Sequence, residues 1–134
     1  MNHMDRIEAM MSEMLEIQQK SKLFVELISA GEPFSQSQII LLIQLKLNGG
    51  MKATKIAEFF HVTPGAVTSM CDKLEKLNLI QRERISTDRR IVQMVLTPLG
   101  EKKVNEIFLK IPKERLDRMV KVLKEVNQLM SSII

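Results

Sequence analysis

The spacing of apolar positions predicts a chain that is helical almost throughout, with one interruption. Residues 4–29 contain neither Gly nor Pro. Met4, Ile7, Met11 and Met14 recur three or four apart, with Met10 and Ile17 beside them, and Leu23, Phe24, Leu27 and Ile28 continue an apolar face. That is the period of an amphipathic helix of about 25 residues, roughly 38 Å long at about 1.5 Å per residue. Gly31-Glu32-Pro33 ends it, because proline cannot continue a helix. Ser35-Gln36-Ser37-Gln38 is a capping-box pattern, in which the N-cap hydroxyl and the side chain three residues on satisfy each other's backbone N–H. The helix it starts reaches about Leu47 and stops at Asn48-Gly49-Gly50. Its run Ile39 to Ile43 is apolar on nearly every side, which predicts burial.

Two short helices follow. Ala53 to Phe60 places Ile56, Ala57 and Phe60 on one face, and His61-Val62 forms a turn. Thr63 caps the next helix with Pro64 at its first position. Val67, Met70, Cys71, Leu74 and Leu77 make its inner stripe, while Gly65, Ala66, Thr68, Ser69, Asp72, Lys73 and Lys76 lie opposite. Two short helices joined by a tight turn are a helix-turn-helix signature. After Asn78 the period becomes two: Ile80, Arg82 and Arg84 alternate with Gln81, Glu83 and Ile85. Ser86-Thr87-Asp88-Arg89 reads as a polar turn and Ile91 to Leu96 as a second, β-branched strand. Thr97-Pro98 repeats the cap-plus-proline device, starting a helix that carries Val104, Ile107 and Phe108 inward. A last helix spans Pro112 to about Ser132, with Leu116, Val120, Leu123 and Met130 on its apolar face.

The predicted fold is therefore mainly α with a small β-hairpin (α+β): a winged helix-turn-helix between long terminal helices. All 134 residues read as one domain, with 35–104 as the winged region and 4–34 and 105–134 as helices that pair with a second copy. In a monomer each terminal helix would leave an apolar face uncovered, and a two-fold dimer covers both; the alternative is a monomeric bundle in which the two helices cover one another. A buried Asn127 would set the register of that pairing.

Composition narrows the function. A content of 45% hydrophobic and 27% charged residues fits a folded chain. The single cysteine, Cys71, excludes an intramolecular disulfide and a multi-cysteine zinc site. His3 and His61 are far apart in sequence, which argues against metal sensing. There is no nucleophile–base arrangement and no glycine-rich phosphate loop, so neither an enzyme nor a cofactor is expected. The apolar runs are too short for a membrane span and Met1 to Arg6 lead into no signal-peptide core, so a cytoplasmic protein without a membrane partner is expected. Ten Met against five aromatics, all Phe, leave an aliphatic surplus that suits a helical partner.

Charge then points to the partner. The net charge is +4, yet the first fifty residues hold six acidic groups and only four basic ones, so the excess lies in the middle and at the end. A basic centre between helical flanks fits a polyanion. The B-DNA major groove is about 12 Å wide and admits one helix. The small residues Thr63, Gly65, Ala66, Thr68 and Ser69 let a helix N-terminus approach closely, their hydroxyls can bond phosphates or bases, and Lys73 suits a phosphate further along. The hairpin brings Arg82, Arg84, Arg89 and Arg90 against only Glu83 and Asp88, and its arginines can reach phosphates or the narrower minor groove. A protein-interaction module built on the same fold is the alternative.

Asp88-Arg89-Arg90, five further residues and Leu96-Thr97 spell Asp-x-Arg-x5-Leu-Thr, with Gly100 three residues on. With Ile56-Ala57-Glu58, Thr63-Pro64, Val67-Thr68 and Leu74 to Ile80, this resembles the multiple-antibiotic-resistance regulator (MarR) family over about residues 35–105. The resemblance implies a homodimeric winged-helix transcription factor, usually a repressor on a palindromic operator and often released by a small anionic or phenolic effector; an activator without a ligand is the other form. It implies that Arg90 enters the minor groove and that Asp88 holds the wing by pairing with arginine. Four positions depart from the family pattern. His61 and Asn78 stand at turn positions where glycine is frequent, Lys52 where a Ser or Thr cap is common, and Ser69 where an arginine often contacts bases. The peroxide-sensing branch, which uses a first-helix cysteine and tyrosines, is not matched, since Cys71 lies on the inner stripe and the chain has no Tyr.

Overall fold

The structure, a computed structural model, describes residues 1–85 and 88–134, the side chains of Asp88 and Arg89 excepted. In chain order the elements are α1 (His3–Ser29), α2 (Gln36–Asn48), β1 (Met51–Lys52), α3 (Ala53–Phe60), α4 (Pro64–Lys76), β2 (Ile80–Ile85), β3 (Asp88–Leu96), α5 (Pro98–Phe108) and α6 (Lys113–Ser131). The expected winged helix-turn-helix between long terminal helices is present.

The helix starts follow the local chemistry. Ser35 and Gln38 form the reciprocal box, with Gln38 N–H donating to Ser35 Oγ at 3.1 Å and Ser35 N–H to Gln38 Oε1 at 3.0 Å. Thr63 and Thr97 accept from the N–H groups of Ala66 and Gly100. Lys52, at the N-cap of α3, makes no side-chain cap bond. His61 and Asn78 adopt left-handed backbone at φ 54° and 60°, a geometry that bulky residues avoid but His and Asn tolerate.

The antiparallel sheet has the order β1-β3-β2. Its third strand, β1, escaped the period-two reading because two residues hold no period; Met51 simply pairs with Met94 and Lys52 with Gln93. The second hairpin strand begins at Asp88, not Ile91. A register shift between Arg84 and Ile85 lets the ladder continue to Asp88, so the backbone of Asp88 and Arg89 is strand where a turn was expected. Backbone pairing at a hairpin end needs no apolar side chain to mark it.

The main core joins Leu41, Leu42 and Leu45 of α2 to Ile56 of α3, Val67, Cys71 and Leu74 of α4, and Leu79, Ile80, Met94 and Val104. Leu77 was expected in this stripe but is 44% exposed. The helix stops at Lys76, Leu77 swings outward as its C-cap, and Leu79 goes inside instead, its N–H bonded to Leu74 C=O at 3.0 Å. Gly100 seats α5 here: a Cβ on it would lie 2.0 Å from Leu79 C=O oxygen, closer than any real contact.

The terminal helices are different. Ile28 is the one buried residue of α1, packed with Ile39 and Ile107, and α6 has none. Asn127 is exposed. The foot of α1 is fastened electrostatically. Lys110 Nζ donates to the carbonyls of Ile28 and Ala30 at 3.1 and 3.0 Å and pairs with Glu32 at 3.1 Å. Lys103 reaches the same carboxylate at 3.2 Å. Burial alone would raise the Glu32 pKa, but the two lysines outweigh it and hold the carboxyl below its usual range.

Candidate nucleic-acid interface

The face begins at the N-terminus of α4. Thr63, Gly65, Ala66, Thr68, Ser69 and Lys73 are all exposed, held there because Val67, Cys71 and Leu74 anchor the opposite side of the helix in the core. Thr63 Oγ1 is committed to the cap and Thr68 Oγ1 donates to Pro64 C=O at 3.2 Å. Each hydroxyl still has capacity for a second bond. A Cβ on Gly65 would meet only Thr63 Oγ1, at 3.9 Å. The fold itself therefore does not require glycine there, and the bareness faces outward. Lys73 is placed off the front of this face, donating to Pro33 C=O in the α1–α2 connection at 3.3 Å.

The hairpin supplies the second part. Ile80, Arg82 and Arg84 alternate along one side of β2, and Ile80 is buried. The strand face that leaves the core as isoleucine thus becomes arginine as it runs out. Arg82 and Arg84 line a cleft of about 360 Å³ with Val67 and Thr68 of α4 and Val92 and Met94 of β3. Thr68 and Arg84, sixteen residues apart in sequence, meet across this one cleft. Arg90 is exposed on β3. The expected roles of Arg89 and of an Asp88–Arg90 pairing involve side chains outside the described residues.

Arg82 of the basic cluster has its partners on α4. Its Nε donates to Glu75 Oε1 at 3.0 Å, and an Nη lies 3.8 Å from Asp72 Oδ1. The bond to Glu75 raises its already high pKa. Two acids three apart on α4, followed by an arginine in the same strand parity as buried Ile80, were the available signal. Beside them Cys71 is fully buried, and burial first, with Glu75 adding, pushes its thiol up to about 11. At neutral pH it is a packed thiol and not a nucleophile. Among the described residues no group of three His, Cys, Asp or Glu is arranged to hold a metal ion, and no helix is long and apolar enough to cross a membrane.

The sequence and the fold that carry this face match known proteins. Residues 34–92 fit the model of the MarR family. Over those residues the chain carries a MarR-family domain. Proteins of the MarR family are transcription regulators, not enzymes. The HTH-type transcriptional repressor MdtR of Bacillus subtilis is 42% identical over 72 residues, which is 54% of this chain and 46% of that protein. The chain thus spans about half the length of this curated relative. The transcriptional regulator BldR of Sulfolobus solfataricus superposes with a TM-score of 0.67 at 25% identity, over 98% of this chain and 99% of that one. A cysteine-to-serine mutant of MarR from E. coli, solved in complex with operator DNA, superposes at 0.70 with 17% identity, over 100% of this chain and 99% of that one. That last likeness concerns the fold.

Proposed function

We propose that this chain is a DNA-binding transcriptional regulator of the MarR type that acts as a homodimer on a palindromic operator. The carrying observation is the exposed small-residue face of α4 from Thr63 to Ser69, set beside a β2 face that turns from isoleucine to arginine. The α4 face enters the major groove, and Arg84, Arg89 and Arg90 contact phosphates or the minor groove, with Asp88 orienting Arg90. Lys73 reaches a phosphate by leaving Pro33. The apolar faces of α1 and α6 meet those of a second copy, which spaces two recognition helices about one DNA turn apart, roughly 34 Å.

Repression is the favoured direction, in line with the name of MdtR. Release by a small effector belongs to the same proposal. The shallow, mostly apolar groove of Leu23, Phe24, Glu26, Leu27 and Ala30, beside the lysine-fastened foot of α1, is the place to look for it.

The test is selection of duplexes from a random pool, followed by titration of the winner. Enrichment of a palindrome, with Kobs falling steeply between about 50 and 200 mM salt, is expected. Binding that ignores salt would remove phosphate contacts, and with them the DNA reading, in favour of a protein-interaction module.

A further inference from the structure

We propose that Arg82 is a positioning residue for DNA binding: it clasps the wing to the recognition helix and sets the angle between them. This rests on the DNA-binding reading above. Asp72 and Glu75 are three residues apart, hence on one face of α4. The Arg82 guanidinium reaches both, with Nε 3.0 Å from Glu75 and an Nη 3.8 Å from Asp72. A planar guanidinium with several donors suits this bridging, where an ammonium would serve as a point charge.

The wing needs such a tie. Its root is anchored by Leu79, bonded to Leu74 C=O, and by buried Ile80. Beyond Ile80, no other β2 residue is buried, and Val92, opposite Arg84, is 36% exposed. Among the described residues of the outer hairpin Ile85 and Ile91 are only half-buried, so no enclosed apolar side chain orients it. One anchor at the root leaves a hinge; a second anchor two residues further along the strand defines an angle. That angle decides whether Arg84 and Arg90 meet DNA while α4 sits in its groove.

Exposed ion pairs add little to global stability, so positioning is separable from folding.

The experiment uses a 30-bp duplex enriched by the wild-type chain from a random pool, with fluorescence anisotropy across about 50–200 mM salt. Arg82→Gln is expected to weaken binding about tenfold, with the salt slope and unfolding midpoint of the wild type. The charge swap Glu75→Arg with Arg82→Glu is expected to recover most of that loss. A slope lowered by about one unit in Arg82→Gln would make Arg82 a phosphate ligand and overturn the proposal. So would unchanged affinity, or a swap no better than Arg82→Gln. Should Arg82→Gln fail to fold, the swap judged against the wild type decides. A wild-type chain that enriches no duplex sinks the DNA-binding reading itself, whereas a clasp that fails in a chain that binds leaves that reading standing.

Discussion

Helices α2 and α6 are both rich in aliphatic residues, yet they have opposite fates. Five of the thirteen residues of α2 are buried, whereas none of the nineteen in α6 is. The middle helix is apolar on nearly every side, whereas the last carries a single apolar stripe. The middle helix is surrounded by elements that the chain folds back over it, while the last one projects with Leu116, Val120 and Leu123 about half exposed. At the other end Met4, Met10 and Leu15 of α1 are exposed above 50%. The lesson is that an apolar stripe predicts that something will cover it, not that the same chain will. The winged region encloses its own core, and the terminal helices leave their apolar faces exposed.

The sharpest way to test the enclosed half is at Gly100. A Cβ there would meet Leu79 C=O oxygen at 2.0 Å, and backbone has no rotamer by which to move away. Gly100→Ala is expected to cost about 3 kcal/mol or more, read as a collapse of the urea midpoint. Next, Leu42→Ala, in a fully buried site, is expected to cost about 2–5 kcal/mol at any protein concentration. Leu123→Ala should instead lower the melting temperature only where dimers form, and change a dilute monomer by no more than about 0.5 kcal/mol. Equal losses for the two variants under dilute conditions would erase the distinction between the halves.

A smaller effect is expected on the outer face. Arg90→Ala should weaken duplex binding by about 1–3 kcal/mol without moving the unfolding midpoint. An unaltered affinity would take that side of the wing out of the interface. The smallest concerns the joint between the halves. The folded-state pKa of Glu32 is lowered by Lys110 and Lys103, so its contribution is present above the ordinary carboxylate pKa of 4.5 and is lost as pH falls through the lowered folded value. Glu32→Gln should therefore cost about 1 kcal/mol at neutral pH, discounted for the partly exposed lysines. The two stability curves should converge in acid; a constant gap down to pH 2 would deny the ion pair.

Much of the fold was legible because its devices are local. The caps at Ser35, Thr63 and Thr97 need only a partner three residues away. The left-handed turns at His61 and Asn78 need only a residue that tolerates them. Cys71 was placed correctly as core from its position in an inner stripe. The site was legible to the extent that it is the reverse of that stripe: Gly65, Ala66, Thr68 and Ser69 are exposed because Val67 and Cys71 are not. What escaped depends on distance along the chain. Strand β1 exists only because β3 passes beside it, and Gly50, at φ 129° with its Cβ position 2.9 Å from Val95, permits that approach. Leu77 left the stripe because the helix ended one residue earlier. Glu32 finds its lysines 71 and 78 residues away, and Lys73 finds Pro33 forty residues back; no periodicity announces either.

The sequence alone determined the order of elements, their caps, the apolar faces and the basic centre, since each arises from interactions within a turn or two of helix or strand. Only the tertiary structure decided which charges come to lie beside Arg82. Arg82 shares its strand parity with buried Ile80, and the fold sets its Nε 3.0 Å from the Glu75 carboxylate of α4. A side chain's role follows from the charge that comes to lie beside it, and that neighbour is chosen by packing.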